Sequence, residues 1–171
     1  MAKISTRKIV ICALFMALTA VATMVIQIPS PMDGYVNMGD AFVLLCAFVL
    51  GPVYGVIAGG VGSMLADILL GYVIYAPGTL IVKSLVVVVA YFLYRALTKT
   101  IKVKTISLVL AGAVAELLMV VGYFLYAMLL MGKGLAAAAS IPGNLMQGLA
   151  GVIVSTLLFL ILDKRNLFNN K

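Results

Sequence analysis

Apolar side chains run almost without interruption through residues 8–28, 40–50, 53–74, 78–95, 106–131 and 142–162, and no other feature restricts the fold of this chain as strongly. A soluble domain needs polar residues at regular intervals to face water, and runs of this length leave too few of them. With 65% of the 171 residues apolar and 10% charged, the solvent for such a chain is lipid. In lipid every backbone N–H and C=O must be satisfied within the chain, which leaves helices or a closed barrel. Barrel strands alternate apolar and polar residues, and these runs do not, so the expectation is an all-α integral membrane protein. No polar stretch is long enough to form a separate soluble unit, and residues 1–171 read as a single transmembrane domain.

About 20 residues cross a hydrocarbon core, so the second run, 40–50, is too short to span it upright. It reads as a short or tilted helix, joined to the third by a turn at Gly51-Pro52. The basic residues decide whether 40–74 crosses once or enters and returns. Lys3, Arg7 and Lys8 precede the first run; Arg95, Lys99, Lys102 and Lys104 separate the fourth from the fifth; Lys164, Arg165 and Lys171 follow the last. A returning hairpin puts all three groups on one side of the membrane, as cytoplasmic enrichment of Lys and Arg requires, whereas a single crossing splits them. The expectation is therefore six transmembrane helices with both termini in the cytoplasm, in a multi-pass protein of the cell membrane. The opposite loops, 29–39, 71–77 and 132–141, hold Lys133 as their single basic residue. The first run, with basic residues before it and Ala20-Val21-Ala22 within it, resembles a secretory signal, but it continues to Ile28 and reaches spanning length, so it is kept as a helix.

The formal net charge of +7 belongs to this topology and not to a nucleic-acid surface, since the basic residues lie between apolar runs. There is no His, and Cys12 and Cys46 both lie within apolar runs, so neither a metal site nor a structural disulfide is expected. No cofactor is implied. A GxxxxGK[ST] motif is lacking as well, so energy from ATP would have to come through partner subunits.

Polar residues inside the apolar runs are few. The segment from Ile28 to Asp40 carries Asp33, Tyr35 and Asn37 among two prolines and two glycines, a composition suited to an ordered lid, with Asp40 capping the second helix. Gly51, Gly55 and Gly59 recur every four residues and permit close helix packing. Asp67, Lys83 and Glu116 are the intramembrane charges, and such residues are costly unless paired or used. A salt bridge between Asp67 and Lys83 is geometrically allowed; both are alternatively part of a site. Glu116 falls roughly 15 Å into its helix, near the midplane, with Tyr123 two turns further out on the same face. Asn144 and Gln147, three apart behind Pro142, face one way, and amides both donate to and accept from small heterocycles. Tyr75, Thr79 and Tyr91 add ring and hydroxyl groups around the fourth helix. Most of these residues fall in the outer half of the bundle, while the inner half is almost purely apolar. An outward-facing pocket closed below suits ligand capture better than a channel, whose polar lining would continue through.

The order and spacing of Tyr35-Val36-Asn37-Met38-Gly39-Asp40, Leu50-Gly51-Pro52-Val53-Tyr54-Gly55, Gly62-Ser63-Met64-Leu65-Ala66-Asp67, Tyr75-Ala76-Pro77-Gly78-Thr79 with Lys83, and Pro142-Gly143-Asn144-Leu145-Met146-Gln147 resembles the substrate-binding subunits, or S components, of energy-coupling-factor (ECF-type) vitamin importers. The resemblance covers essentially the whole chain. It implies a binding subunit without enzymatic activity, taking a small vitamin-like ligand and working with a transmembrane coupling subunit and two cytoplasmic ATPases. It further implies docking on the coupling subunit through small residues of the first helix, here Ala13 and Ala17. Among members, those assigned to pyridoxine or hydroxymethylpyrimidine resemble the chain most, followed by those for riboflavin. The substrate-binding set is then Asp33, Tyr35, Asn37, Thr79, Lys83, Glu116, Tyr123, Asn144 and Gln147.

Two other classes compete. A membrane-embedded protease needs a Ser–His pair, paired aspartates or a metal, and none is supplied. A stand-alone proton-coupled transporter titrating Glu116 remains the alternative.

Overall fold

The computed structural model describes residues 6–30 and 33–164. Helix α1 (Thr6–Val25) leads into an antiparallel hairpin, β1 (Gln27–Ser30) and β2 (Gly34–Asn37), in which Gln27 lies opposite Asn37 and Ser30 opposite Gly34. At the hairpin turn Asp33 has a φ of 58°, a left-handed conformation that Asp tolerates better than most residues. The segment expected as a lid is thus a small two-stranded ribbon.

Helix α2 (Gly39–Gly55) contains one break, at Gly51, where φ is 78° and ψ −174°. Side chains rarely adopt that conformation, and glycine does so freely. Pro52 follows, in the first turn of the returning arm, where its missing N–H leaves nothing unsatisfied. That arm continues through wide helical turns at Val56–Val61 into α3 (Gly62–Leu69). A Cβ on Gly55 would lie 2.9 Å from the Cys46 carbonyl oxygen, and one on Gly59 would lie 3.5 Å from the Val43 Cα. In a straight helix residues 43 and 59 would stand about 24 Å apart. The two arms therefore run back along each other, with glycine at the positions of closest approach.

Helix α4 (Ala76–Thr100) follows, then α5 (Lys104–Leu125), extended by wide turns at Tyr126–Leu130. A tight 3-10 segment at Gly134–Ser140 leads into α6 (Ile141–Lys164). Among the described residues five helical stretches are long and apolar enough to cross a membrane, and the span Gly39–Leu69, which reverses at Gly51, is one of them.

The distribution of polarity is that of a membrane protein. Leu14, Val53, Ile81, Leu117 and Ile153 are exposed on the outside of the bundle, whereas Asp40, Asp67, Lys83 and Glu116 are buried inside it. Water would favour the reverse arrangement, and lipid favours this one.

The two ends of the bundle differ. One gathers the hairpin, the link between α3 and α4, and the 3-10 segment. The other carries Arg7, Lys8, Arg95, Lys99, Lys102, Lys104 and Lys164; the remaining members of the basic groups, Lys3, Arg165 and Lys171, lie outside the described residues. At this basic end the rings of Phe48, Tyr94 and Phe159 pack together with centroids 5.3–6.0 Å apart, and Lys104 bonds Asp163 at 2.6 Å. Tyr91, grouped with Tyr75 and Thr79 as a source of ring and hydroxyl contacts around the fourth helix, stands beside Gly51 at this end, since its position on α4 is about 18 Å along the axis from Thr79. The basic half is also less uniformly apolar than expected, because the hydroxyls of Ser107 and Thr156 are buried there.

Close backbone approach at Gly55 makes a sharp prediction. Gly55→Leu forces a side chain against the Cys46 carbonyl and Val87 and should destabilise the detergent-solubilised protein by about 1–3 kcal/mol or more. Thermal unfolding would register this as a clear drop in midpoint, while Val53→Leu on the lipid-facing side should leave the midpoint nearly unchanged.

Candidate ligand site

Burying a lysine inside a helix bundle requires a partner, and the partner of Lys83 is Asp40. The Lys83 Nζ bonds Asp40 Oδ1, and both side chains are almost completely buried. This corrects two expectations. Lys83 does not pair with Asp67, and Asp40 is not the N-cap of α2, a position held by Met38, which makes no side-chain cap bond. Asp40 lies within the first turn, aimed across the bundle at α4. Its other oxygen, Oδ2, accepts a 2.6 Å hydrogen bond from Gln147 Nε2 on α6. Gln147 Oε1 in turn accepts from the backbone N–H of Asn37 at 2.8 Å. One amide thereby ties α6 to α2 and to the hairpin, while the Asn37 side chain accepts from Gly39 N–H at 2.9 Å and turns the strand into the helix.

Above this layer, at the hairpin end, lies a cavity of about 510 Å³ including its open mouth. Its walls come from the hairpin (Gly34, Tyr35, Asn37), α3 (Asp67), α4 with the residue before it (Tyr75, Thr79), α5 (Tyr123) and α6 (Asn144, Gln147). Several of these residues are placed by specific contacts. Tyr35 donates to Asp67 Oδ1 at 2.6 Å and its ring lies 4.6 Å from that of Tyr72. Burial and the neighbouring carboxylate push the Tyr35 phenol well above its usual range, so it stays a donor. Tyr123 donates to the Thr79 hydroxyl at 3.0 Å, and the Lys83 ammonium lies 5.3 Å from its ring centre. Asn144 and Gln147 line the same wall, as their three-residue spacing on one helix requires.

Of the nine residues singled out from sequence, Tyr35, Asn37, Thr79, Tyr123, Asn144 and Gln147 come together around this cavity. Three do not line it. Lys83 lies beneath, held by Asp40. Glu116 is buried deeper still, against Gly148 of α6, and neither carboxyl oxygen has a hydrogen-bond partner among the described residues. Asp33 is at the exposed hairpin turn, 3.1 Å from the Lys133 ammonium, which also lies 5.8 Å from the Tyr75 ring centre. Ser30 and Ser140 at the mouth, together with Tyr75 and Asp67, complete the wall. No spacing rule marks the two serines, because they come from segments whose positions depend on the hairpin closing over α6.

A cavity lined by acceptors, donors and three tyrosine rings at one end of an apolar bundle, with an ion pair and an aromatic cluster below, defines a membrane-embedded binding protein. Residues 3–164 match the family model described as "ECF-type riboflavin transporter, S component", and the chain belongs to that family of transporter components. An uncharacterised protein of Pyrococcus woesei is 38% identical over 146 residues, covering 85% of this chain and 94% of that protein. The solved S component of a bacterial ECF transporter shares the fold, with a TM-score of 0.70 at 22% identity over 92% of this chain and 96% of its own.

Breaking a buried ion pair strands a charge, which costs about 3–5 kcal/mol, whereas replacing both members with apolar groups costs far less. Lys83→Met or Asp40→Leu alone should therefore lower the unfolding midpoint strongly. The double variant should recover about half of that loss or more, as denaturant or thermal unfolding in detergent will show.

Proposed function

We propose that this protein is the riboflavin-capturing subunit of an ECF-type importer, with six membrane crossings, both termini cytoplasmic, and the cavity opening on the outer side. The observation that carries this reading is the cavity itself. Its polar wall is confined to the hairpin end, and beneath it lie the Asp40–Lys83–Gln147 layer and then packed rings. Such a site holds a ligand without offering it a way through. Tyr35, Tyr75 and Tyr123 supply faces for a planar ring system, and the amides of Asn144 and Gln147 can meet ring nitrogens and carbonyls on their edges. The family match favours riboflavin; pyridoxine and hydroxymethylpyrimidine, smaller planar heterocycles, are the next ligands to test.

The crossing of 39–69 twice and the cytoplasmic placement of the termini are supported by the reversal at Gly51 and by the collection of basic residues at the end opposite the cavity. Ala13 and Ala17 are exposed on the outer face of α1, open to another helix, and this face is the proposed contact with the transmembrane coupling subunit that joins the two ATPases.

A second reading, a stand-alone proton-coupled transporter, draws on the two unpartnered oxygens of Glu116. The two readings separate in reconstituted vesicles. A capture subunit binds ligand alone but moves it at an appreciable rate only with its ATPase partners; a proton-coupled transporter works alone and loses activity on Glu116→Gln.

Fluorescence titration of the purified protein with riboflavin should give submicromolar affinity. Asn144→Ala should weaken it about tenfold or more, the expected effect of removing a buried hydrogen-bonding partner, with an unchanged unfolding midpoint. Absence of binding below micromolar riboflavin would refute the assignment of this ligand. Ala17→Leu should leave binding intact and reduce co-purification with the coupling subunit.

A further inference from the structure

Asp67 is buried, and its carboxylate is held on one oxygen by Tyr35, with the Thr79 hydroxyl also interacting with the group. Oδ1 accepts from Tyr35, while Oδ2 has no hydrogen-bond partner among the described residues although the side chain forms part of the cavity wall. Among the described residues no lysine or arginine lines that wall: Lys83 is engaged by Asp40 beneath it, and Lys133 lies against Asp33 and the Tyr75 ring. Among the described residues the two lysines at this end, Lys83 and Lys133, are thus each already in contact with another carboxylate. An unshared carboxylate oxygen accepts hydrogen bonds and gives none, so it welcomes a hydroxyl or N–H of a ligand and repels an oxygen that also only accepts.

We propose that Asp67 is a specificity residue that admits the neutral, hydroxyl-bearing form of the vitamin and rejects its phosphate ester. This rests on the reading of the cavity as the ligand site but not on which vitamin fills it. In the bound state Oδ2 takes a ligand hydroxyl or N–H, completing the carboxylate that Tyr35 already holds on its other side. A phosphate in the same place would bring a charge of up to −2 against Asp67, with no arginine or free lysine to offset it. The discrimination is one of charge and hydrogen-bond polarity, and it acts against a compound otherwise identical to the accepted one.

The test compares riboflavin with riboflavin 5′-phosphate on the purified full-length protein by fluorescence titration at pH 7.5. Riboflavin should bind about 100-fold more tightly or better, the size expected for a charge repelled across several ångströms in a partly desolvated site. Asp67→Asn keeps the shape and removes the charge, and should narrow the gap about tenfold. Tyr35→Phe keeps the charge and should leave the gap in place, even if both ligands bind more weakly. Comparable affinities for the two flavins in the unmodified protein would overturn the proposal, and so would an unchanged gap in a folded Asp67→Asn variant. If neither flavin binds, the riboflavin assignment falls, and the same comparison on pyridoxine and pyridoxine 5′-phosphate decides the charge argument by itself.

Discussion

The buried ion pair between Asp40 and Lys83 is the interaction on which the arrangement of the bundle depends. In lipid there is little hydrophobic force to press one helix on another, so helices associate through close packing and through polar contacts that have no better partner elsewhere. Lys83 of α4 and Asp40 of α2 satisfy each other, and Gln147 brings α6 to the same carboxylate while its carbonyl holds the backbone of the hairpin. Three helices and the ribbon above them are thus registered against one another by a handful of atoms. The same layer forms the floor of the cavity, so the contacts that assemble the fold also set the depth to which a ligand can enter.

Above that floor, division of labour among similar groups is set by neighbours. Asp40 spends both oxygens on the protein, whereas Asp67 spends one. Tyr35 and Tyr123 are each fixed by donating a hydroxyl hydrogen, which leaves their rings as rigid walls. Rigid aromatic surfaces held in place before the ligand arrives reduce the ordering that binding must otherwise impose.

Much of this was legible from sequence, and the failures are specific. Uninterrupted apolar runs demanded helices in lipid, and the basic groups pointed to a reversal within 40–74, which the chain makes at Gly51. Four residues of the cavity wall, Thr79, Tyr123, Asn144 and Gln147, stood out because polar side chains within apolar runs have few reasons to exist, and Tyr35 and Asn37 because they lie in the polar segment before the second run. Asp67 was weighed as the partner of Lys83, and Asp40 was not, because the two aspartates lie at the same end of the α2–α3 hairpin, and the rotation of each arm is set by the break at Gly51 and the wide turns at 56–61, neither of which periodicity encodes. Asp40 also sits at a helix start, where capping is the commoner role. Tyr91 was grouped with Tyr75 and Thr79 by helix membership, though the rise along α4 carries it to the opposite end of the molecule.

The Asp33–Lys133 contact joins the tip of the hairpin to the loop before α6, and Asp33 is 93% exposed. An ion pair so open to water holds on by little, about 1 kcal/mol at most. On β2, Tyr35 is tied to Asp67 by a partly buried bond, and Asn37 at the base of the ribbon is tied to Gln147 by a buried one. The bond at the root, Asn37 to Gln147, is thus shielded from water, whereas the contact at Asp33 is open to it. The root of the ribbon is thereby tied, through Gln147, to the same carboxylate that pairs with Lys83.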